Sequence, residues 1–210
     1  MEEFDLFRAD PFILLPVRIT RRKNIEYALR VVAELRALGP RPMLLVTGPR
    51  GPHDPASITY VQELQSLIDR LGLGDDAILL QADGRDGARA WKPTDAMMDQ
   101  LYRAADLMLL PSAQEGFGIP LLEAGVVSLP IFCSNIPPFR EILGERAHYF
   151  QLDEPPLEVA RRMADFLRSD ARYRLRKRIA QQYAWNTIFD DKLVPLLSRT
   201  AARAAPIGGK

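Results

Sequence analysis

The sequence predicts an α/β protein with a doubly wound parallel sheet, because short apolar runs alternate with segments of helical periodicity along most of the chain. The apolar runs are continuous rather than alternating, which is typical of strands that are buried on both faces of a parallel sheet. From residue 155 to about residue 198 the strands stop and C-terminal helices follow one another. Sheets of this kind bind ligands beyond the carboxyl ends of their strands, near the point where the strand order reverses.

The individual elements follow from the same patterns. Strands are predicted at residues 12–17, 43–46, 77–80, 106–110, 130–133 and 148–150. Helices are predicted at residues 24–38, 57–71, 94–104 and 121–127, before the C-terminal helices. Ser57 and Thr94 are expected to be N-caps, since their hydroxyl groups can accept hydrogen bonds from first-turn amides. Arg18, Gly48 and Glu115 all follow the ends of predicted strands, so we expect them to converge on one crevice.

Length and composition set the limits on organisation and partners. The 210 residues fit one domain, predicted at residues 11–200 between a flexible N-terminal segment at 1–10 and a flexible tail at 201–210. The net charge of +1 provides no general field for nucleic acid. No apolar run approaches the ~18 residues that cross a bilayer, and the acidic start does not resemble a signal peptide. We therefore expect a cytoplasmic protein with at most peripheral contact with the inner face of a membrane.

A glycine-containing turn follows the apolar run at 106–110 and predicts an anion site. Gly116 and Gly118 relieve the turn of side-chain bulk, so its backbone could approach a ligand closely. Pro120 suits the first turn of a helix, whose N–H groups and dipole favour an anion. The carboxylates of Glu115 and Glu123 beside this turn can accept hydrogen bonds from hydroxyl groups. The turn therefore predicts a ligand with both phosphate and polyol parts.

Four cations crowd the approach to the first predicted helix. Arg18, Arg21, Arg22 and Lys23 stand where the helix dipole favours acids by ~0.3–1 kcal/mol each, so folding alone does not explain them. A bound diphosphate would reverse the sign of that effect. The alternative is a set of solvated surface charges, and it is the favoured interpretation for Arg21 and Arg22. Neither Arg18 nor Lys23 is expected in the core.

The block E-G-F-G-I-P-L-L-E-A resembles the signature of the retaining group 1 glycosyltransferases, of the family 4 type, in which two glutamates have seven residues between them. Glu115 and Glu123 have this spacing. The resemblance includes residues 16–24 and the V-T-G-P at 46–49, and it covers roughly residues 12–197. It implies the Rossmann-like, C-terminal half of a GT-B glycosyltransferase. The acceptor-binding lobe of such enzymes has no counterpart in this sequence.

The resemblance also implies roles for particular residues. Arg18 and Lys23 would contact the diphosphate, and Glu115 would lie at the face of the donor sugar; these three are the catalytic candidates. Glu123 would bind the ribose hydroxyls, and Phe117 is equally a packing residue or a sugar contact. The full set of expected donor-binding residues is Gly48, Gly116, Phe117, Gly118, Ile119, Pro120, Leu121 and Glu123.

The sequence patterns of metal sites, P-loops and dinucleotide-binding turns are absent from this sequence. No Asp-x-Asp pair and no Cys/His cluster occur, so we expect no metal and no cofactor. The resemblance implies a UDP- or GDP-sugar as the donor substrate. Neither a P-loop nor a G-x-G-x-x-G turn is present. Cys133 lies in an apolar run and is expected to be a buried hydrophobe rather than a nucleophile. His53 and His148 are expected to be satisfied or solvent-facing.

The activity that the resemblance implies is hexosyl transfer from a nucleoside diphosphate sugar to a hydroxyl acceptor with retention of configuration. The expected partners are the nucleotide sugar and a separate acceptor-binding domain or subunit, with no nucleic acid. An alternative is a non-catalytic nucleotide-sugar-binding module; a related epimerase is disfavoured because the glutamate pair is typical of transferases. The basic stretch after residue 155 is interpreted as a solvated helical face, or as a contact with anionic lipid or a partner domain.

Overall fold

The computed structural model describes residues 9–48, 55–81, 89–90, 93–182 and 194–195. The strands are β1 (Phe12–Leu15), β2 (Met43–Val46), β3 (Ala77–Gln81), β4 (Arg89–Ala90), β5 (Leu107–Leu110), β6 (Ile131–Ser134) and β7 (His148–Phe150). The α-helices are α1 (Ile25–Ala37), α2 (Pro55–Arg70), α3 (Asp95–Ala104), α4 (Ile119–Val126), α5 (Pro137–Leu143), α6 (Pro156–Ser169) and α7 (Ala171–Gln182). Arg21–Lys23 and Gly74–Asp76 are 3₁₀ turns.

The strands form one seven-stranded sheet in the order β4-β3-β2-β1-β5-β6-β7, and every pairing between them is parallel. Ile13 of β1 pairs with Leu44 of β2 on one side and with Leu107 of β5 on the other. The order of the chain through the sheet therefore reverses between β1 and β5, which is where such sheets bind ligands. The predicted doubly wound fold is confirmed.

The core lies on both sides of the central strands. All four residues of β1 have 0% exposure, and the burial pattern of β5 is equally complete. The apolar stripe of α1 (Ile25, Ala28, Leu29, Val32 and Leu35) is also fully buried, as its helical spacing predicts. Burying a side chain of this size contributes about 1.5–3 kcal/mol, so these central elements fix the frame on which the strand ends are held.

Several predicted boundaries are wrong, for local reasons. The first strand ends at Leu15 rather than residue 17, because Pro16 follows and the Val17 amide turns back to donate to the Leu15 carbonyl at 3.0 Å. Ser57 is not an N-cap, since α2 already begins at Pro55, whereas Thr94 does cap α3 through its hydroxyl at 3.3 Å from the Met97 amide.

The structure also contains elements that the sequence patterns missed. Helix α4 begins at Ile119, two residues before the predicted start, and Pro120 lies in its first turn as expected. The short helix α5 was not predicted, although Pro137 at its start suits a first turn. Strand β4 is only two residues long. His53 lies outside the described residues.

The chain divides into two compact units, Met1–Phe166 and Leu167–Lys210. The sheet belongs to the first unit and α7 to the second. Among the described helices, none combines the length and the apolar character that a membrane span requires. The domain boundaries at residues 11 and 200 stay predictions.

Candidate functional site

Three loops meet at the carboxyl ends of β1, β2 and β5. The Ala113 amide, after β5, donates to the Arg22 carbonyl at 2.8 Å and so ties the β5 loop to the turn after β1. Gly48, after β2, packs so closely on the β1 loop that a Cβ there would lie 1.9 Å from the Val17 carbonyl oxygen. Only glycine fits at this position. The predicted convergence of the segments that carry Arg18, Gly48 and Glu115 is therefore observed.

A buried ion pair joins two of these loops. The Lys23 ammonium donates to Glu115 Oε1, and both side chains are only 10% exposed. The Ser112 hydroxyl donates to the same Oε1 at 2.8 Å. Lys23 was expected outside the core, and that expectation is wrong: the side chain is buried because it points toward the β5 loop rather than into solvent.

Two buried serines hold the glutamate in place. Ser112 and Ser134 both have 0% exposure, and the Ser134 hydroxyl donates to the Ser112 carbonyl at 2.6 Å. Ser134 is the last residue of β6, so the carboxylate is fixed through the loop to the neighbouring strand. Neither serine was predicted to belong to the site. For Ser112 the available signal was a hydroxyl side chain three residues before Glu115, just after a predicted strand.

The glycine turn has one glycine that its backbone requires and one that faces open space. Gly118 is the N-cap of α4 with a φ of 113°, a conformation that other residues rarely adopt. A Cβ on Gly116 would meet nothing within 4 Å. Phe117 is 58% exposed and is therefore not a core residue; its contact with a sugar stays a prediction.

The first turn of α4 has fewer N–H groups available to bind an anion than a helix N-terminus usually provides. Pro120 has no N–H group, and the Leu121 amide already donates to the Gly118 carbonyl at 2.9 Å. Within this first turn, Ile119 carries the amide that helix geometry leaves without an intrahelical acceptor. The Leu121 side chain is 1% exposed and belongs to the core, whereas the Ile119 side chain is 62% exposed.

Glu123 has a different partner from Glu115. The hydroxyl of Tyr102, near the end of α3, donates to Glu123 Oε2 at 2.5 Å. Tyr102 is 3% exposed while Glu123 itself is exposed. Burial and the hydrogen bond to Glu123 raise the pKa of Tyr102, so the phenol stays a neutral donor at physiological pH. Tyr102 was not predicted to belong to the site, because its place in a predicted helix indicates only a core residue.

The other cations of the N-terminal cluster are exposed. Arg18 lies three residues after the end of β1 and is exposed. Arg21 pairs with Glu63 of α2 at 2.7 Å, and its guanidinium lies 4.9 Å from the centre of the Tyr60 ring.

The Tyr60 hydroxyl also caps α1, because it accepts a hydrogen bond from the Ile25 amide at 3.2 Å. The Asn24 side chain, on a residue with a φ of 51°, does not cap this helix.

Cys133 and His148 have surroundings that favour structural roles. Cys133 is fully buried, and burial raises the pKa of its thiol to about 12, in agreement with the prediction of an unreactive residue. The His148 ring stacks on Phe132 with centroids 4.3 Å apart, and burial lowers the pKa of the imidazole. Among the described residues, no three His, Cys, Asp or Glu side chains are grouped to hold a metal.

A doubly wound sheet with a glycine turn and two glutamates after its central strand is the combination expected of a group 1 glycosyltransferase domain. The family described as Glycosyl transferases group 1 matches residues 2–184. The chain belongs to this family.

Solved structures of low sequence identity share the fold. The C-terminal domain of a group 1 glycosyl transferase from Francisella tularensis aligns with a TM-score of 0.62 at 22% identity, covering 88% of this chain and 87% of that one. Anabaena Alr3699/HepE, solved in complex with UDP and glucose, aligns with a TM-score of 0.63 at 20% identity, covering 94% of this chain and 50% of that one. The fold is therefore the Rossmann-like one of GT-B glycosyltransferases.

Sequence similarity to curated proteins is more local. The serotype-specific mannosyltransferase WbdA of Escherichia coli is 38% identical over 74 residues, which are 35% of this chain and 9% of that protein. The chain thus spans a small part of the length of this relative.

Proposed function

We propose that this chain is the donor-binding, C-terminal half of a retaining glycosyltransferase that transfers a hexose from a UDP- or GDP-sugar to a hydroxyl acceptor. The observation that carries the proposal is the buried Lys23–Glu115 pair, which joins the segments that follow β1 and β5. It joins a cation suited to a phosphate with a carboxylate suited to a sugar hydroxyl, at the switch point of the sheet.

The diphosphate is proposed to be held by Lys23, Arg18 and the first amide of α4. A lysine ammonium has three donors, and one of them already points at Glu115, so two remain for phosphate oxygens. Arg18 is exposed and adds a guanidinium with the fork geometry that phosphates favour. These groups would stabilise the charge that develops on the leaving diphosphate, without a metal ion.

The two carboxylates are proposed to bind different parts of the donor. Glu115 receives Lys23 and Ser112 on Oε1, which in the described part of the chain leaves Oε2 for a sugar hydroxyl near the open space beside Gly116. Glu123 receives Tyr102 on Oε2, which leaves Oε1 for the ribose diol as far as the described residues are concerned. Gly48, packed against the β1 loop, would line the base or phosphate pocket.

The acceptor is proposed to bind to a further domain or a separate subunit. The chain covers 87% of an isolated C-terminal domain but 50% of the Anabaena protein. A second candidate function is a nucleotide-sugar-binding module without turnover of its own, because the Lys23–Glu115 pair and the glycine turn account for donor binding alone. Measuring the release of nucleoside diphosphate from UDP- and GDP-hexoses by the chain alone separates the enzyme from the module.

The division between the glutamates provides the main test. Glu123→Gln should weaken both the free nucleotide and the nucleotide sugar by ~1–3 kcal/mol, because ribose hydroxyls lose a charged acceptor. Glu115→Gln should weaken only the nucleotide sugar. The measurement is calorimetric titration of UDP, GDP and their hexose conjugates.

A matched control is Glu63→Gln, which replaces an exposed glutamate that pairs with Arg21. Its affinities should equal those of the wild type. Equal loss of free nucleotide in Glu115→Gln and Glu123→Gln contradicts the proposed division, and unchanged affinities in both variants contradict the donor site itself.

A further inference from the structure

Helix α7 concentrates positive charge. Its twelve residues include five cations and no acid; the cations are Arg172, Arg174, Arg176, Lys177 and Arg178. The net charge of the whole chain is only +1, so the rest of the chain is net negative.

Two large aliphatic side chains of α7 are exposed among these cations. Leu175 is 61% exposed and Ile179 is 50% exposed. They are four residues apart, so they lie on one face of the helix. At 3.6 residues per turn, this apolar stripe is flanked on both sides by arginines; these are Arg172 and Arg176 on one side and Arg174 and Arg178 on the other.

The opposite side of α7 has a different character. Tyr173 is half-buried, and the Lys177 ammonium lies 5.8 Å from the centre of its ring. The aliphatic stripe is thus confined to the face that the arginines border. Exposure of a leucine and an isoleucine to water is unfavourable unless another surface covers them.

We propose that this face of α7 binds the surface of a membrane that contains anionic lipids, with the helix axis in the plane of the headgroups. Leu175 and Ile179 would enter the boundary of the acyl chains, and the flanking arginines would reach outward to the phosphates, as long cationic side chains do at such interfaces. Charge complementarity selects anionic lipid, and the aliphatic stripe distinguishes a bilayer from a nucleic acid, which has no apolar layer to receive it. Each basic residue near an anionic surface strengthens binding roughly fivefold.

The first test compares vesicles with the wild-type chain. Sedimentation should show binding to phosphatidylcholine vesicles that contain one part in three of phosphatidylglycerol, and little binding to phosphatidylcholine alone. Rising salt should weaken the binding, because it screens the arginines. Equal binding to both vesicles, or no binding to either, overturns the proposal, and so does tight binding to poly-uridylate without binding to vesicles.

Charge variants locate the surface. R172E/R174E/R178E should lose vesicle binding by roughly a hundredfold or more. The control R30E/R103E/R161E changes the net charge equally at exposed arginines of α1, α3 and α6 and should lose roughly fivefold at most. Circular dichroism verifies that both variants keep their helices. Similar losses in the two variants would show a general charge effect and overturn the assignment to α7.

Apolar variants separate insertion from charge alone. L175S/I179S keeps every cation and should weaken vesicle binding roughly tenfold or more, because two aliphatic side chains no longer enter the interface. The control I58S/V126S removes exposed aliphatic side chains of α2 and α4 and should leave binding unchanged. Unchanged binding in L175S/I179S overturns the apolar part of the proposal. Nucleotide affinity plays no part in these measurements, so they are independent of the donor site.

Discussion

Arg21 and Lys23 stand two residues apart in one 3₁₀ turn, and each pairs with a glutamate, yet the two ion pairs differ in almost every physical respect. In the Arg21–Glu63 pair the side chains are 61% and 49% exposed, whereas both side chains of the Lys23–Glu115 pair are 10% exposed. Residues two apart in a 3₁₀ helix point in different directions, since the helix has three residues per turn. Arg21 therefore reaches α2, and Lys23 reaches the loop after β5.

The comparison indicates that position relative to the switch point, rather than residue type, decides what a cation does here. An exposed pair gains little because water screens it. A buried pair must recover the desolvation of two charges, and it does so only with further hydrogen bonds such as that from Ser112. A buried ion pair therefore adds little to the stability of a fold. This supports a functional reason for burying the Lys23–Glu115 pair.

The largest expected effect concerns the stability of the two pairs. Lys23→Met should lower the free energy of unfolding by about 3 kcal/mol, because the Glu115 carboxylate stays buried without its cation. Arg21→Met should leave the urea midpoint unchanged. The measurement is urea unfolding followed by circular dichroism.

A double variant is the control for this prediction. Lys23→Met combined with Glu115→Met replaces both charges by apolar groups and should recover most of the loss. Equal urea midpoints for Lys23→Met and Arg21→Met would mean that water reaches both ion pairs alike. That result would contradict the difference proposed between the two pairs.

The next effect concerns affinity for the diphosphate. Arg18→Ala should weaken the binding of UDP or GDP by ~1.5–3 kcal/mol, the range for hydrogen bonds to charged groups. Arg21→Ala, which removes an equal charge a few residues away, should not change it, because Arg21 is directed at Glu63. Calorimetry on both variants measures the difference. Similar losses would indicate a diffuse field of cations instead of a defined site.

A smaller effect is expected at the serine that holds Glu115. Ser112→Ala removes a buried donor 2.8 Å from the carboxylate and should cost about 1 kcal/mol in nucleotide-sugar affinity. Ser66→Ala is the matched control, since that hydroxyl donates to a carbonyl within α2 at an exposed position. If both variants bind like the wild type, Glu115 is positioned by Lys23 alone.

The sequence was sufficient for the residue types of the candidate site but not for their arrangement. Glu115, Gly118 and Glu123 were identified by spacing and by their place after an apolar strand, which are local features. The pairing of Glu115 with Lys23 was not predicted, because 92 residues separate them and only the neighbourhood of β1 and β5 brings them together. In the sequence Lys23 looks like Arg21 and Arg22, so its burial could not be distinguished from their exposure.

The residues that support the site were hidden for a related reason. Tyr102 and Ser134 lie on elements whose patterns predict only packing, and a hydroxyl group gives no sign in the sequence of where its proton points. The strands were predictable because each apolar run is only four or five residues long and is bounded by turn residues, which favours a buried strand over a helix. Helix α5 was missed because its seven residues are too short for a helical period to emerge beside two prolines.

The smallest expected effect is that of removing metal ions. It tests whether the buried Lys23–Glu115 pair takes part in neutralising the diphosphate. If Lys23 and Arg18 neutralise the diphosphate, adding EDTA should leave the affinity for UDP- or GDP-sugar unchanged, because no ligand–metal contact is lost. The comparison of titrations with and without EDTA, followed by addition of Mg²⁺ or Mn²⁺, measures this. A loss of affinity with EDTA that either cation restores would assign charge neutralisation to a metal. Lys23 would then serve only to hold Glu115, and the difference between the two ion pairs would be one of packing rather than of function.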